Sequence, residues 1–194
     1  MTIRYSTVGI VGTGAMGRGI AQIAAQAGST VQLFDLNPEA CRQAHAAIAA
    51  QWDKLQDKGR IDAATADAYK TRLQTAASLG NLHNCDLVVE AAVERLDIKQ
   101  RLFAQLEDIV RPDAVLVTNT SSLSVTAIAA GLKRPAQFAG YHFFNPVPLM
   151  KVVEVIAGLK TDAAVCAGLT EYARQMGHTP VQAQDTPGFI VNHA

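Results

Sequence analysis

The sequence predicts an α/β domain of the Rossmann type: a doubly wound, mostly parallel sheet with helices on both faces. Three observations carry that expectation. Short β-branched runs alternate with helix-length segments along most of the 194 residues, the order expected of strand–helix–strand units. The runs are continuously apolar rather than alternating, as strands covered on both faces are. The first run also feeds Gly12-Thr13-Gly14-Ala15-Met16-Gly17, a glycine turn between a strand and a helix.

The elements follow in order. Residues 7–11 read as a strand, and residues 18–27 as a helix that Gly28 closes. Residues 31–35 are a second strand. Asn37-Pro38 supplies a cap and a proline at the first helical position, opening an Ala-rich helix through Trp52 and Leu55. A more polar helix spans residues 62–73. Residues 86–90 read as a strand, 96–109 as a helix, and 115–119 as a strand running into a serine-rich loop. Ser124 is placed to cap a short helix reaching about Ala130. Residues 138–142, 152–156 and 179–181 complete the strands, with a helix over 162–176 before the last. Residues 1–185 are expected to form one cofactor-binding domain. Residues 186–194 start a new apolar element, Pro187-Gly188-Phe189-Ile190-Val191-Asn192, expected to begin a truncated helical C-terminal domain.

Composition removes other classes. Lys plus Arg and Asp plus Glu both number 17, so no global basic footprint points to nucleic acid. No apolar run reaches the roughly 20 residues that span a bilayer, and the first residues do not read as a secretory leader. Cys41, Cys85 and Cys166 are too few and too irregularly spaced for a disulfide framework or a zinc site. A cytoplasmic protein with reduced, buried thiols and no resident metal is expected.

The glycine turn gains weight from its context. Gly12 permits the tight turn, Gly14 leaves room for a pyrophosphate, and Gly17 lets helix and strand pack closely. The helix start offers unpaired N–H groups and a partial positive charge to phosphates. Asp35, closing the second strand, is placed to accept from both hydroxyls of an adenosine ribose. Its carboxylate would repel a 2′-phosphate, and Leu36-Asn37 offers no cation beside it. The expected cofactor is therefore NAD rather than NADP. FAD uses a similar fingerprint, but the chain is short to enclose it.

A second constellation lies in Tyr141-His142-Phe143-Phe144-Asn145-Pro146, followed by Val152-Val153-Glu154-Val155-Ile156. A carboxylate inside a β-branched strand is costly to bury unless paired, and His142 is the obvious partner. Such a pair orients an imidazole as a general base.

With these motifs in view, the chain resembles the L-3-hydroxyacyl-CoA dehydrogenases of fatty-acid β-oxidation, and bacterial 3-hydroxybutyryl-CoA members in particular. The resemblance covers essentially the whole sequence. It rests on the glycine turn, on Glu90-Ala91-Ala92-Val93-Glu94, and on Asn119-Thr120-Ser121-Ser122-Leu123. It continues through His142-Phe143-Phe144-Asn145-Pro146 and Asp185-Thr186-Pro187-Gly188-Phe189-Ile190-Val191-Asn192. It implies oxidation of a 3-hydroxyacyl-CoA to the 3-ketoacyl-CoA with NAD, His142 taking the hydroxyl proton and Glu154 pairing with it. It further implies that Ser121 and Asn192 hydrogen-bond the substrate. Asn119, Asn145, Glu94 and Lys99 would line the cofactor site with the glycine turn, and Lys58 would meet the coenzyme A phosphates. A homodimer formed through the C-terminal domain is implied as well. Two alternatives stay open: a dehydrogenase of a free β-hydroxyacid, and a non-catalytic NAD-binding module.

Overall fold

Why do the central strands of the sheet bury both faces? The computed structural model describes residues 2–185, and residue parity within each strand gives the answer. In β1 (Thr7–Val11), Val8 and Ile10 enter one apolar cluster and Val11 the other. In β4 (Leu87–Glu90), Leu87 and Val89 divide from Val88 in the same way. In β5 (Val115–Thr118), Val115 and Val117 divide from Leu116. Successive side chains point to opposite faces, so an unbroken apolar run requires cover on both.

The sheet adds β2 (Thr30–Phe34), β3 (Leu73–Thr75), β6 (Phe138–Phe143), β7 (Val152–Ala157) and β8 (Thr179–Gln184), in the order β3-β2-β1-β4-β5-β6-β7-β8. Every neighbouring pair is parallel except β6 with β7. Chain order reverses between β1 and β4, which opens a crevice beyond the carboxyl ends of the strands.

Cover comes from two sets of helices. The first cluster holds Ile20 and Ala24 of α1 (Ala15–Ala27), Trp52 of α2 (Pro38–Asp57), and Leu169 and Tyr172 of α6 (Ala163–Gln175). The second holds Phe103 and Leu106 of α4 (Leu96–Ile109) and Ile128 of α5 (Val125–Ala129), with Phe103 meeting Phe138 edge to face at 4.7 Å. A polar α3 (Ala63–Arg72) packs beside α2. The expected caps form: Asn37 accepts from the Glu39 and Ala40 amides, and Ser124 from that of Ala127. Caps of this kind contribute about 1 kcal/mol each.

Three details differ from the sequence reading. Helix α1 starts at Ala15, before Arg18, because Gly14 takes the cap position. Leu73 leaves the helix and begins β3, an edge strand of three residues with no apolar run to announce it. Strand β8 continues to Gln184; its half-exposed edge position mixes polar residues into the pattern. Of the cysteines, Cys41 and Cys85 are buried, but Cys166 is only partly so. No helix among the described residues is long and apolar enough to cross a membrane.

Candidate active site

The glycine turn is built where the crevice opens. Gly12 adopts φ +101°, and a Cβ there would sit 2.5 Å from the Ala91 carbonyl oxygen. A Cβ on Gly17 would lie 1.8 Å from the Gly12 carbonyl oxygen, so strand and helix can approach only with glycine there. Gly14 is the opposite case: its Cβ would meet nothing within 4 Å. That space lies over the first turn of α1, which carries no side-chain cap and no acidic residue. Ala15 is exposed beside Gly14, while Met16 is half-buried against the core. A phosphate fits this arrangement: open backbone approach, unpaired N–H groups and an uncompensated helix dipole.

A cleft of about 790 Å³ runs from Asp35 and Leu36 past Gly12 and Gly14 to Ala92 and Val93. Leu36 is 91% and Val93 60% exposed on its rim, apolar surface that an adenine ring would cover. Asp35 is more committed than its sequence position suggests. Its Oδ2 accepts from the Thr13 amide (3.0 Å) and hydroxyl (2.7 Å), and its Oδ1 from the Asn37 amide (2.9 Å). A carboxylate offers about four acceptor sites, so one remains. Asp35 thus stands in the cleft with its carboxylate already anchored to Thr13 and Asn37. Burial pushes the Asp35 pKa up, but the bonds from Asn37 and Thr13 outweigh it and hold the group below its ordinary range.

Beyond Val93 lies a charged cluster. Glu90, fully buried at the end of β4, accepts from the Thr118 hydroxyl (2.6 Å), the Ala92 amide (2.6 Å) and the Lys99 ammonium (2.5 Å). Lys99, 1% exposed on α4, also reaches Glu94 Oε1 at 3.3 Å. Glu94 Oε2 accepts from the Ser121 amide (2.9 Å) and hydroxyl (3.1 Å). Burial raises the Glu94 pKa, yet the Ser121 amide, the Thr120 hydroxyl and Lys99 together keep it below the usual carboxylate range. Lys99 thus bridges Glu90 and Glu94 from a buried position. Glu90 was missed as a site residue. The argument that singled out Glu154, a carboxylate in an apolar strand, applies to Glu90 equally.

His142 stands opposite Glu154 in the antiparallel β6–β7 pair. Parity turns both side chains toward the α4/α5 face, since Tyr141, Phe143, Val153 and Val155 fill the other cluster. The imidazole Nδ1 lies 2.8 Å from Glu154 Oε1, with His142 5% and Glu154 0% exposed. The Phe144 ring packs on His142 at 4.5 Å. Asn119 Oδ1 accepts from the Phe143 amide at 2.8 Å, tying the loop after β5 to the end of β6; its amide nitrogen has no partner among the described residues. Ser121 is exposed on that loop.

The remaining expected residues are more dispersed. Asn145 is exposed beyond β6, on a separate groove of about 350 Å³ shared with Arg18, Gln22 and Gln51. Lys58 caps the carboxyl end of α2 in solvent. Asn192 lies outside the described residues. Asp185 Oδ1 accepts from the Val125 amide and Oδ2 from the Thr126 amide and Ser124 hydroxyl, at 2.7–2.9 Å, fastening the end of β8 to α5.

The family profile described as 3-hydroxyacyl-CoA dehydrogenase, NAD binding domain, matches residues 7–186. The chain belongs to the 3-hydroxyacyl-CoA dehydrogenase family. The resemblance read from its motifs is thereby established, and the cleft is that of an NAD-binding domain. The chain is 46% identical over 192 residues to the 3-hydroxyadipyl-CoA dehydrogenase of Escherichia coli K12, covering 99% of this chain and 40% of that protein. It is 44% identical to a probable 3-hydroxybutyryl-CoA dehydrogenase of Deinococcus radiodurans, covering 95% of this chain and 66% of that protein. The crystal structure of the (S)-3-hydroxybutyryl-CoA dehydrogenase of Ralstonia eutropha superposes with a TM-score of 0.94 at 38% identity, over 97% of this chain and 67% of that one. The chain thus spans from two fifths to about two thirds of the length of these relatives.

Proposed function

We propose that the protein containing this chain oxidises L-3-hydroxyacyl-CoA to 3-ketoacyl-CoA with NAD, with His142 as general base. The observation that supports this most is the buried His142–Glu154 pair at 2.8 Å, set on facing positions near the end of β6 and the start of β7. NAD supplies the acceptor for the hydride from C3. Everything else falls to side chains. Glu154, bonded to Nδ1, fixes the tautomer with its lone pair on Nε2, the atom that takes the 3-hydroxyl proton. The imidazolium that results is stabilised by the buried carboxylate. General-base help of this kind is worth roughly 10²–10⁴-fold in rate.

Ser121, held by Glu94, contacts the substrate oxygen, with Asn192 as a further partner. The half of the cleft lined by Gly12, Gly14 and Asp35 binds the adenosine and pyrophosphate. Lys58 receives the coenzyme A phosphates from the surface of α2. The acyl-CoA is the substrate partner, and the following domain completes water exclusion and forms a homodimer; the protein works in the cytoplasm.

Acetoacetyl-CoA-dependent loss of NADH absorbance tests this directly, using the chain beside a version extended through the region covered by its relatives. Turnover in either supports the proposal. Silence in both, with NADH still bound, overturns the acyl-CoA assignment; turnover of free acetoacetate in its place supports the free-acid reading.

A further inference from the structure

The Glu90–Lys99–Glu94 cluster holds one ammonium between two carboxylates, so it carries one surplus negative charge. The surplus is not shared evenly. Lys99 sits 2.5 Å from Glu90 and 3.3 Å from Glu94, and both Glu90 oxygens accept, from three donors in all. Glu90 therefore neutralises most of the ammonium from within the core. Glu94, at 36% side-chain exposure, keeps its charge toward the outside. The nearby Arg95, Asp97 and Arg101 pair with one another at high exposure, where charges are screened; Arg101 stands on the cleft wall with its charge met by Asp97.

Position gives that charge a target. Ala92 and Val93 line the cleft, and Glu94, next along the chain, holds Ser121 on the loop that Asn119 ties to β6. A hydride passing between cofactor and substrate must cross this region if His142 is the base, so the nicotinamide ring belongs here. The ring is cationic when oxidised and neutral when reduced.

We infer that the buried Glu90–Lys99–Glu94 cluster sets the oxidation-state preference of the bound cofactor, favouring the oxidised form. Glu90 is the positioning residue that maintains the surplus: it touches neither cofactor nor substrate, and acts by drawing Lys99 away from Glu94. This inference rests on the NAD reading of the cleft and on His142 as the base, and is independent of the acyl-CoA substrate.

Its test is a comparison of binding constants in the whole chain, with no turnover measured. NAD⁺ is titrated by calorimetry and NADH by fluorescence. Glu90→Gln leaves Lys99 to neutralise Glu94, so NAD⁺ binding should weaken relative to NADH by roughly three- to tenfold, the scale of one screened unit charge. Glu90→Gln combined with Lys99→Met removes both buried charges, leaves Glu94 alone, and should return the ratio of the two constants to that of the unmodified chain. Replacing both partners of a buried pair is commonly tolerated by the fold, and thermal melting checks each variant.

A purely structural cluster would weaken both cofactor forms alike in each variant, which overturns the inference. So does a shift in Glu90→Gln that the double variant fails to reverse while both forms still bind. Failure of the unmodified chain to bind either form would overturn the inference together with the dinucleotide reading beneath it.

Discussion

His142 and Glu154 are direct partners across the antiparallel pair of β6 and β7, with Nδ1 and Oε1 2.8 Å apart in a nearly water-free setting. The contact defines both the ring's orientation and the charge behind it. Glu154→Gln retains an oxygen that can accept from Nδ1 but removes that charge. Turnover of acetoacetyl-CoA should fall by roughly 10²-fold or more, and NADH affinity should stay within a few-fold. His142→Gln should abolish turnover with NADH affinity equally preserved. Steady-state kinetics beside fluorescence titration checks both, and loss of NADH binding in either variant would contradict the assignment.

Two glycines of one motif should fail in opposite ways. Gly17→Ala forces a methyl against the Gly12 carbonyl oxygen and should destabilise the domain by about 1–3 kcal/mol or more, seen as a lower urea midpoint. Gly14→Ala places its methyl in open space, so the midpoint should move by no more than about 0.5 kcal/mol. NADH affinity should nevertheless drop, because that space is the proposed approach of the pyrophosphate.

Asp35→Ala removes the acceptor for Thr13 and Asn37 along with the proposed ribose contact. NADH should bind more weakly and discrimination against NADPH should soften, as paired titrations would show. In the unmodified chain the Asp35 carboxyl lies below its ordinary 3.8. NADH affinity should therefore hold from neutral pH down to about pH 4.5 as far as this group is concerned, and an Asp35-dependent loss at pH 5–6 would contradict the shift.

His178 carries a prediction about stability. It is 4% exposed, contacts the Val147 carbonyl oxygen through Nε2 at 3.1 Å, and meets the Phe143 ring. Burial lowers its pKa below the ordinary 6.5, against weaker raising contacts from the Val147 and Met176 carbonyls, while nearby Lys151 adds to the lowering. The unfolded chain then binds more protons than the folded one just below pH 6.5. Its contribution is complete above pH 6.5 and is lost as pH falls from there through the folded-state value. His178→Gln should flatten that part of the stability curve, measured by urea midpoints between pH 5 and 7.5.

How much of this could be read from residues alone varies by element. Strands buried on both faces announce themselves, so β1, β4 and β5 lay almost where expected; β3 and the end of β8, at the sheet's edges, did not. His142 and Glu154 could be paired because a carboxylate in an apolar strand demands a partner. The same demand at Glu90 was answered by a lysine nine positions on, and reading it required knowing which side of α4 faces inward. Asp35 was correctly placed at the cleft, but its ties to Thr13 depend on how the glycine turn folds back over β2, which residue spacing does not encode.

One consequence follows from β7 running against β6. Side chains alternate along a strand, so sliding β7 by a single position would swing Glu154 to the far side of the sheet and bring Val153 or Val155 opposite the imidazole. Much of the main-chain hydrogen bonding could re-form after such a slip. The apolar residues that lock β7 into the first cluster therefore also hold Glu154 opposite His142.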